Sequence, residues 1–441
     1  MTRKHHKVLA PKGTVPREAP AAEVPTRPLL ILHAQELVTL AGDGGPRRGR
    51  AMKDLRAIED GGLYAVDGVI RDVGSSREMD ARYAGTAQVI DATGKTVVPG
   101  FVDAHTHLVF AGSREHEMEW KAQGLTYEEI AARGGGILHT VKATREAPEE
   151  ALYVAAHARL DVMLAHGTTT VEAKTGYGLT LEDEAKLLRV AERLQESHPA
   201  TVVPTFLGAH AVPPEYRDRA DEYVDLLIRE ALPSVAAKTS ARFCDVFVED
   251  GYFTGDQARR LLSEAERLGL STKLHADEFS DGGGAALAAE VGAATADHLV
   301  HASSEGIRKM AERGTIAVLL PASSLASRIP FAKGRHFVEM GVPVALGTDF
   351  NPNCWTESMA LVISLAAHQL ALTPSEALTA ATINAAHAVG LGREVGSLEV
   401  GKRADLLVLN VPDHRHLAYR IGGRVVETVI KDGRVVLHRA P

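Results

Sequence analysis

The sequence predicts an α/β protein: a (β/α)8 TIM-type barrel with a small β-sandwich domain formed from both chain ends. Three observations lead there. Apolar strand-like runs alternate with amphipathic helical stretches through the middle of the chain, the pattern of parallel βα units. Short strand-and-turn clusters stand at both ends of the 441 residues. Finally, five of the eight strands expected in the middle finish on a histidine or an aspartate, and barrel enzymes place their chemistry at those strand ends.

Taken in order, residues 1–27 carry charges and prolines without apolar periodicity, so they read as a disordered tail in which His5 and His6 are solvated. Structure is expected to begin at Pro28. The first part of the small β domain covers 28–96; in it Leu63 to Gly74 reads as a hairpin turned by Asp67-Gly68, a pair that tolerates positive φ. The barrel covers 97–392, with strands ending near His107, Lys174, His210, Glu249, His275, His298, Leu320 and Asp349. Between them, Pro148 opens a helix as its first residue, with Leu152, Ala156, Leu160 and Leu164 on one face and Gly167 closing it. Capping boxes are expected at Thr180/Asp183, Thr254/Gln257 and Thr373/Glu376. Residues 393–441 supply the rest of the β domain, with strands at Asp405–Asn410 and around the Asp432-Gly433 turn.

Composition narrows the function. Net charge is −8 with no basic stripe, which argues against a nucleic-acid partner. No apolar run reaches the ~18 residues of a membrane span, so neither a membrane nor a signal segment is expected. Two cysteines, Cys244 and Cys354, give no disulfide framework and suit a reducing cytoplasm. Twenty histidines outnumber the 10 Phe and 9 Tyr combined, and that excess asks for a metal or acid–base explanation.

His105 and His107 follow an apolar strand at a spacing of two, so both imidazoles face one side and can reach one ion. His275 adds a third imidazole and Asp349 a carboxylate. Three His and one Asp leave room for a water whose pKa a bound divalent ion brings to about 7. His298 could be a ligand, an orienter of ligands or a proton shuttle; a shuttle or water-orienting role beside Asp349 is favoured. Lys174 and Glu249 are considered as metal-bridging groups and set aside in favour of a single metal.

Several extended blocks resemble the amidohydrolase superfamily and, more narrowly, the imidazolonepropionase family. They are Pro99-Gly-Phe-Val-Asp-Ala-His-Thr-His-Leu-Val-Phe-Ala-Gly-Ser-Arg-Glu-His-Glu, Gly134-Gly-Gly-Ile, Val171-Glu-Ala-Lys-Thr-Gly-Tyr-Gly-Leu and Phe206-Leu-Gly-Ala-His-Ala-Val-Pro-Pro-Glu-Tyr, followed by Lys273-Leu-His-Ala-Asp-Glu-Phe, Gly347-Thr-Asp-Phe-Asn-Pro and Ala381-Thr-Ile-Asn-Ala-Ala. The run from Gly396 to Asp405 marks the superfamily alone. The resemblance implies a zinc or iron ion on His105, His107, His275 and Asp349, and the opening of 4-imidazolone-5-propanoate to N-formimidoyl-L-glutamate. It implies that Arg114, helped by Tyr127, takes the propanoate carboxylate and that Tyr177 lines the pocket. His210 would contact the ring carbonyl, Glu278 the ring nitrogens, and Asn351 the other side of the substrate. A homodimer is also implied. Asn353 and Cys354, expected to touch the substrate's polar end, lie where this chain departs from the common pattern.

Two other readings stand beside this one. A different superfamily enzyme, such as a deaminase, would have no need of Arg114 for a carboxylate. A non-catalytic barrel scaffold would have lost ligands, and here all four are present.

Overall fold

The computed structural model describes residues 27–439. The expected tail up to residue 26, with His5 and His6, lies outside them.

Eight parallel strands form the barrel: Phe101–Asp103, Thr168–Lys174, Thr201–Ala209, Phe243–Val248, Ser271–Ala276, Thr295–His298, Ile316–Leu319 and Val344–Leu346. Each pairs with the next. All their residues except Ser271 are buried, as expected of strands covered on both faces. Between the first and last strands the ladder is short. Just beyond them, the Asp349 amide donates to the His105 carbonyl (3.0 Å) and the His107 amide to the Phe350 carbonyl (2.8 Å). The barrel is therefore joined along its seam by the two segments that carry His105, His107 and Asp349.

The second sheet draws on both chain ends. Its order is Arg434–His438, Val426–Lys431, Leu406–Leu409, Thr96–Pro99, Leu29–Val38, Ala57–Val66 and Val69–Ser75, with Gln88–Asp91 beside the first half of Leu29–Val38. Thr96–Pro99 joins the two ends, pairing parallel to Leu29–Val38 and antiparallel to Leu406–Leu409. The Asp67-Gly68 turn has φ of +50° and +76°, and Asp432-Gly433 has +49° and +71°, the left-handed pair that tight hairpins need. Gly100 carries the chain from this sheet into the barrel, and a Cβ there would meet Thr169 Oγ1 at 2.2 Å.

Helices pack outside the barrel. In Glu149–Ala165 the face of Leu152, Ala156, Leu160 and Leu164 is buried, each leucine contributing ~1.5–3 kcal/mol relative to exposure. Pro148 is the N-cap residue, with ψ at 147°, and not the first helical residue as the sequence suggested. Capping boxes are reciprocal at Thr254/Gln257 and Thr373/Glu376. At Thr180/Asp183 the box is half formed: the threonine hydroxyl accepts from the Asp183 amide, but the shorter aspartate takes that hydroxyl instead of reaching the backbone. Among the described residues no helix is long and apolar enough to cross a membrane.

Candidate functional site

At the C-terminal ends of the strands, His107, Arg114, Tyr127, Tyr177, His210, His275, Glu278, His298, Asp349, Asn351 and Asn353 line one cleft. His105 lies fully buried beneath it. Cys354 is not brought to the cleft. Its Sγ turns back to the Thr348 carbonyl (3.5 Å), its amide donates to Asn351 Oδ1 (3.1 Å), and burial pushes its thiol well above the usual range. Cys354, expected to touch the substrate's polar end, thus turns its thiol away from the residues that line the cleft.

Histidine tautomers follow from what stands behind the rings. His105 Nδ1 lies 2.6 Å from Asp297 Oδ2, and His275 Nδ1 lies 3.1 Å from Asp245 Oδ2. At His105 this is a hydrogen bond to an acceptor-only carboxylate, so the ring proton sits on Nδ1 and the Nε2 lone pair turns into the site; the His275 contact is one of proximity, without hydrogen-bond geometry. His105 Nε2 and Asp349 Oδ1 are buried with no hydrogen-bond partner. They stand 3.5 Å apart, Asp349 Oδ1 is 3.6 Å from His107 Nε2, and His107 Nε2 is 3.4 Å from His275 Nε2. Ligand atoms around a tetrahedral ion at 2.0–2.2 Å stand about 3.3–3.6 Å apart, and these three separations match; His105, His107 and Asp349 gather as one donor group, with His275 beside His107, so the donors present suit a metal ion. Ser323, which sequence reasoning missed, donates to Asp349 Oδ2 at 2.5 Å and leaves Oδ1 free.

Beneath the histidines lies a buried ionic layer that sequence reasoning also missed. Lys174 Nζ reaches Asp245 (2.6 Å), Glu172 (3.0 Å) and Asp297 (3.3 Å), and Lys273 Nζ reaches Glu172 (2.8 Å). Burial works against charge on Lys174, but the three carboxylates outweigh it and hold the ammonium well above its ordinary range. Burial likewise opposes ionisation of Asp245, yet Lys174 and His275 depress it strongly. Counted formally, three carboxylates against two ammonium groups leave one excess negative charge, which a cation at His105 and His275 would offset. Lys174 is thus structural, and Glu249 instead receives the Phe279 amide (2.9 Å) and the Ser280 hydroxyl. The signal for this layer was a charged residue at alternate positions of apolar strands: Glu172 and Lys174, Asp245, Lys273.

The substrate side is built from loops. Arg114 binds both Glu117 oxygens, through Nε at 2.8 Å and a terminal nitrogen at 3.0 Å, and its guanidinium lies 5.7 Å from the Tyr127 ring centre. It is therefore a buried paired cation, neither a surface group nor a free one. Tyr177 is held on a loop whose amides at Gly176, Gly178 and Leu179 all donate to the buried Glu184 carboxylate. Burial raises Glu278 well above the usual carboxylate range, with Asp349 and Glu249 adding to it, which favours its neutral form. His298 Nδ1 lies 3.5 Å from Glu278 Oε1. Asn351 Oδ1 accepts the Asn353 and Cys354 amides and shapes that turn.

His210 differs from expectation. Its Nδ1 donates to the Gly176 carbonyl (3.0 Å), and burial lowers its pKa to about 3. The neutral ring therefore presents a lone pair at Nε2, an acceptor for an N–H and not a donor to a carbonyl oxygen.

Fold and site together define a metal-dependent hydrolase of the barrel type. The sequence matches the profile of the Amidohydrolase family over residues 96–436. Among its relatives, the imidazolonepropionase of Symbiobacterium thermophilum is 54% identical over 93% of this chain and 97% of its own length. That of Geobacillus kaustophilus is 53% identical over 93% and 98%. The chain belongs to the amidohydrolase family and, within it, to the imidazolonepropionases. Similar solved structures include E. coli guanine deaminase, with TM-score 0.70 and 17% identity over 94% of this chain and 99% of that one. A triazine hydrolase variant gives 0.73 and 17% over 93% and 95%. At such identities the likeness is one of fold.

Proposed function

We propose that this cleft opens the ring of 4-imidazolone-5-propanoate at its amide C–N bond, giving N-formimidoyl-L-glutamate, with His105, His107, His275 and Asp349 as the metal ligands. The observation that carries the ligand set is the pair of orphaned buried atoms, His105 Nε2 and Asp349 Oδ1, beside the converging Nε2 atoms of His107 and His275. A zinc or iron ion held there would supply a water of lowered pKa and polarise the ring carbonyl.

The remaining roles belong to side chains. Asp349, raised by burial, takes a proton from the attacking water, and His298 relays protons between that region and Glu278. Protonated Glu278 gives a proton to the ring nitrogen as the C–N bond breaks. His210 Nε2 accepts from a ring N–H and orients the ring. Arg114, with Tyr127 and Tyr177, receives the propanoate, and Asn351 and Asn353 close the opposite wall. A cytoplasmic homodimer is the form we expect, to be tested by fractionation and sedimentation.

The test is incubation of purified protein with freshly generated imidazolonepropanoate while following the ultraviolet band of the ring. The band should disappear with metal-loaded protein and persist with His275→Ala. A stable band with the metal-loaded wild type would sink the reading, and so would an active, metal-replete His275→Ala protein.

A further inference from the structure

Beside the catalytic cleft lies a second, open cavity of about 490 Å³. Three residues, Tyr127, Phe279 and Ser327, line both spaces. The Tyr127 and Phe279 rings stack with centres 5.1 Å apart at 23°, and Ser327 Oγ accepts from Asn353 Nδ2 at 2.9 Å. The wall between the cavities is one side chain thick.

Positive charge distinguishes the second cavity. Lys121, Arg328 and His301 line it, and among the described residues none of them has a carboxylate partner. Lys121 is almost fully buried, with Nζ donating to Asn353 Oδ1 (2.5 Å) and the Ala326 carbonyl (3.1 Å), which leaves one N–H uncommitted. Exposed Arg328 makes one bond, from its guanidinium to the Lys121 carbonyl. Arg335, by contrast, is paired with Glu376. Burial and then the Arg114 charge lower the Lys121 pKa, so the two cations sense each other across the wall.

The arrangement matters because Arg114 is already neutralised by Glu117. Arg114, Lys121 and Arg328 outnumber Glu117 in this corner, and among the described residues neither Lys121 nor Arg328 has a carboxylate in an ion pair. The chain as a whole carries −8, so its average field repels an anion, and a local cationic opening is needed to concentrate one.

We propose that this second cavity is a cationic antechamber which receives the substrate's carboxylate before it reaches Arg114, with Arg328 at the mouth and Lys121 on the inner wall. The proposal rests on the reading of the substrate as a propanoate.

The test is Arg328→Glu in the full-length, metal-loaded protein, with Arg328→Lys as the charge-conserving control. At low ionic strength kcat should be unchanged and kcat/KM should fall about 10-fold. The salt response should also change sign: wild-type kcat/KM falls as salt rises, whereas that of Arg328→Glu rises. Arg328→Lys should behave as wild type. Equal kcat/KM for wild type and Arg328→Glu at low salt would overturn the proposal. A loss that is the same at every salt concentration would also overturn it, since that marks a structural effect. Calorimetric binding of glutarate gives a reading independent of turnover: wild type should bind about 10-fold more tightly than Arg328→Glu, and equal affinity would refute the antechamber. Wild type that binds glutarate in this charge-dependent way yet leaves imidazolonepropanoate intact would refute the proposed reaction alone.

Discussion

Glu278 shows how burial turns an ordinary carboxyl into an acid catalyst. It sits in a cleft walled by Phe279 and Tyr127, with the Asp349 carboxylate nearby and, among the described residues, no lysine or arginine in an ion pair with it. Both influences favour the neutral form, and a neutral carboxyl is what a departing nitrogen requires. Glu278→Gln keeps the shape and a donor but has no proton to release. We expect kcat to fall by about 10²- to 10⁴-fold with metal content unchanged, measured by steady-state rates beside elemental analysis. Unchanged kcat would remove Glu278 from the proton path. At this scale much was legible in the sequence, because a His or Asp ending an apolar strand is a local pattern. The direction of Cys354 and the tautomer of His210 were not, since they depend on the Thr348 and Gly176 carbonyls supplied by the folded backbone.

Among elements, the strands divide the work: one brings a histidine proposed as a metal ligand, and two others bring the carboxylates that stand behind imidazoles. Ser271–Ala276 brings His275, Phe243–Val248 places Asp245 behind it, and Thr295–His298 places Asp297 behind His105. All eight strands were legible from apolar runs, and the charged residues inside them were visible too. Which carboxylate backs which imidazole was hidden, because it depends on the order of strands around the barrel: His105 and Asp297 are 192 residues apart. Asp297→Asn should therefore weaken metal binding by about 10- to 100-fold, read by competition with a chromophoric chelator. The far-ultraviolet circular dichroism of the protein should be unchanged. Retention of wild-type affinity would show that the Asp297–His105 contact does not hold the ligand.

For the whole molecule, acid stability carries a signature outside the cleft. His387 is half-buried near Lys402 and Arg393, and burial first, then those cations, lowers its pKa to about 4. The unfolded chain has an ordinary histidine near 6.5, so between about pH 6.5 and 4 the unfolded state binds the proton more readily. Stability is thus full above 6.5 and declines as pH falls through this window. His387→Gln should remove about 1–2 kcal/mol of that decline, discounted for partial exposure. Urea midpoints for both proteins at pH 7 and pH 5 check it, and identical shifts would show that His387 does not titrate in this way. The two-ended sheet belongs to the same scale. Its hairpins were legible from the Asp-Gly turns, whereas the pairing of Thr96–Pro99 with Leu406–Leu409 required the barrel between them to close.

That closure has a consequence for how the protein is made. Asp103 and Thr348, hydrogen-bonded across the seam, are separated by 245 residues, and the proposed ligands occupy both sides of the same join. No stretch of chain still emerging from a ribosome holds the full set until the last barrel strand has been made, so tight metal capture should come late and coincide with sealing of the barrel. An ion bound there would work as a clasp, and its loss should open the seam first. Amide exchange at Asp349 and His107 would then quicken before exchange at the strands opposite.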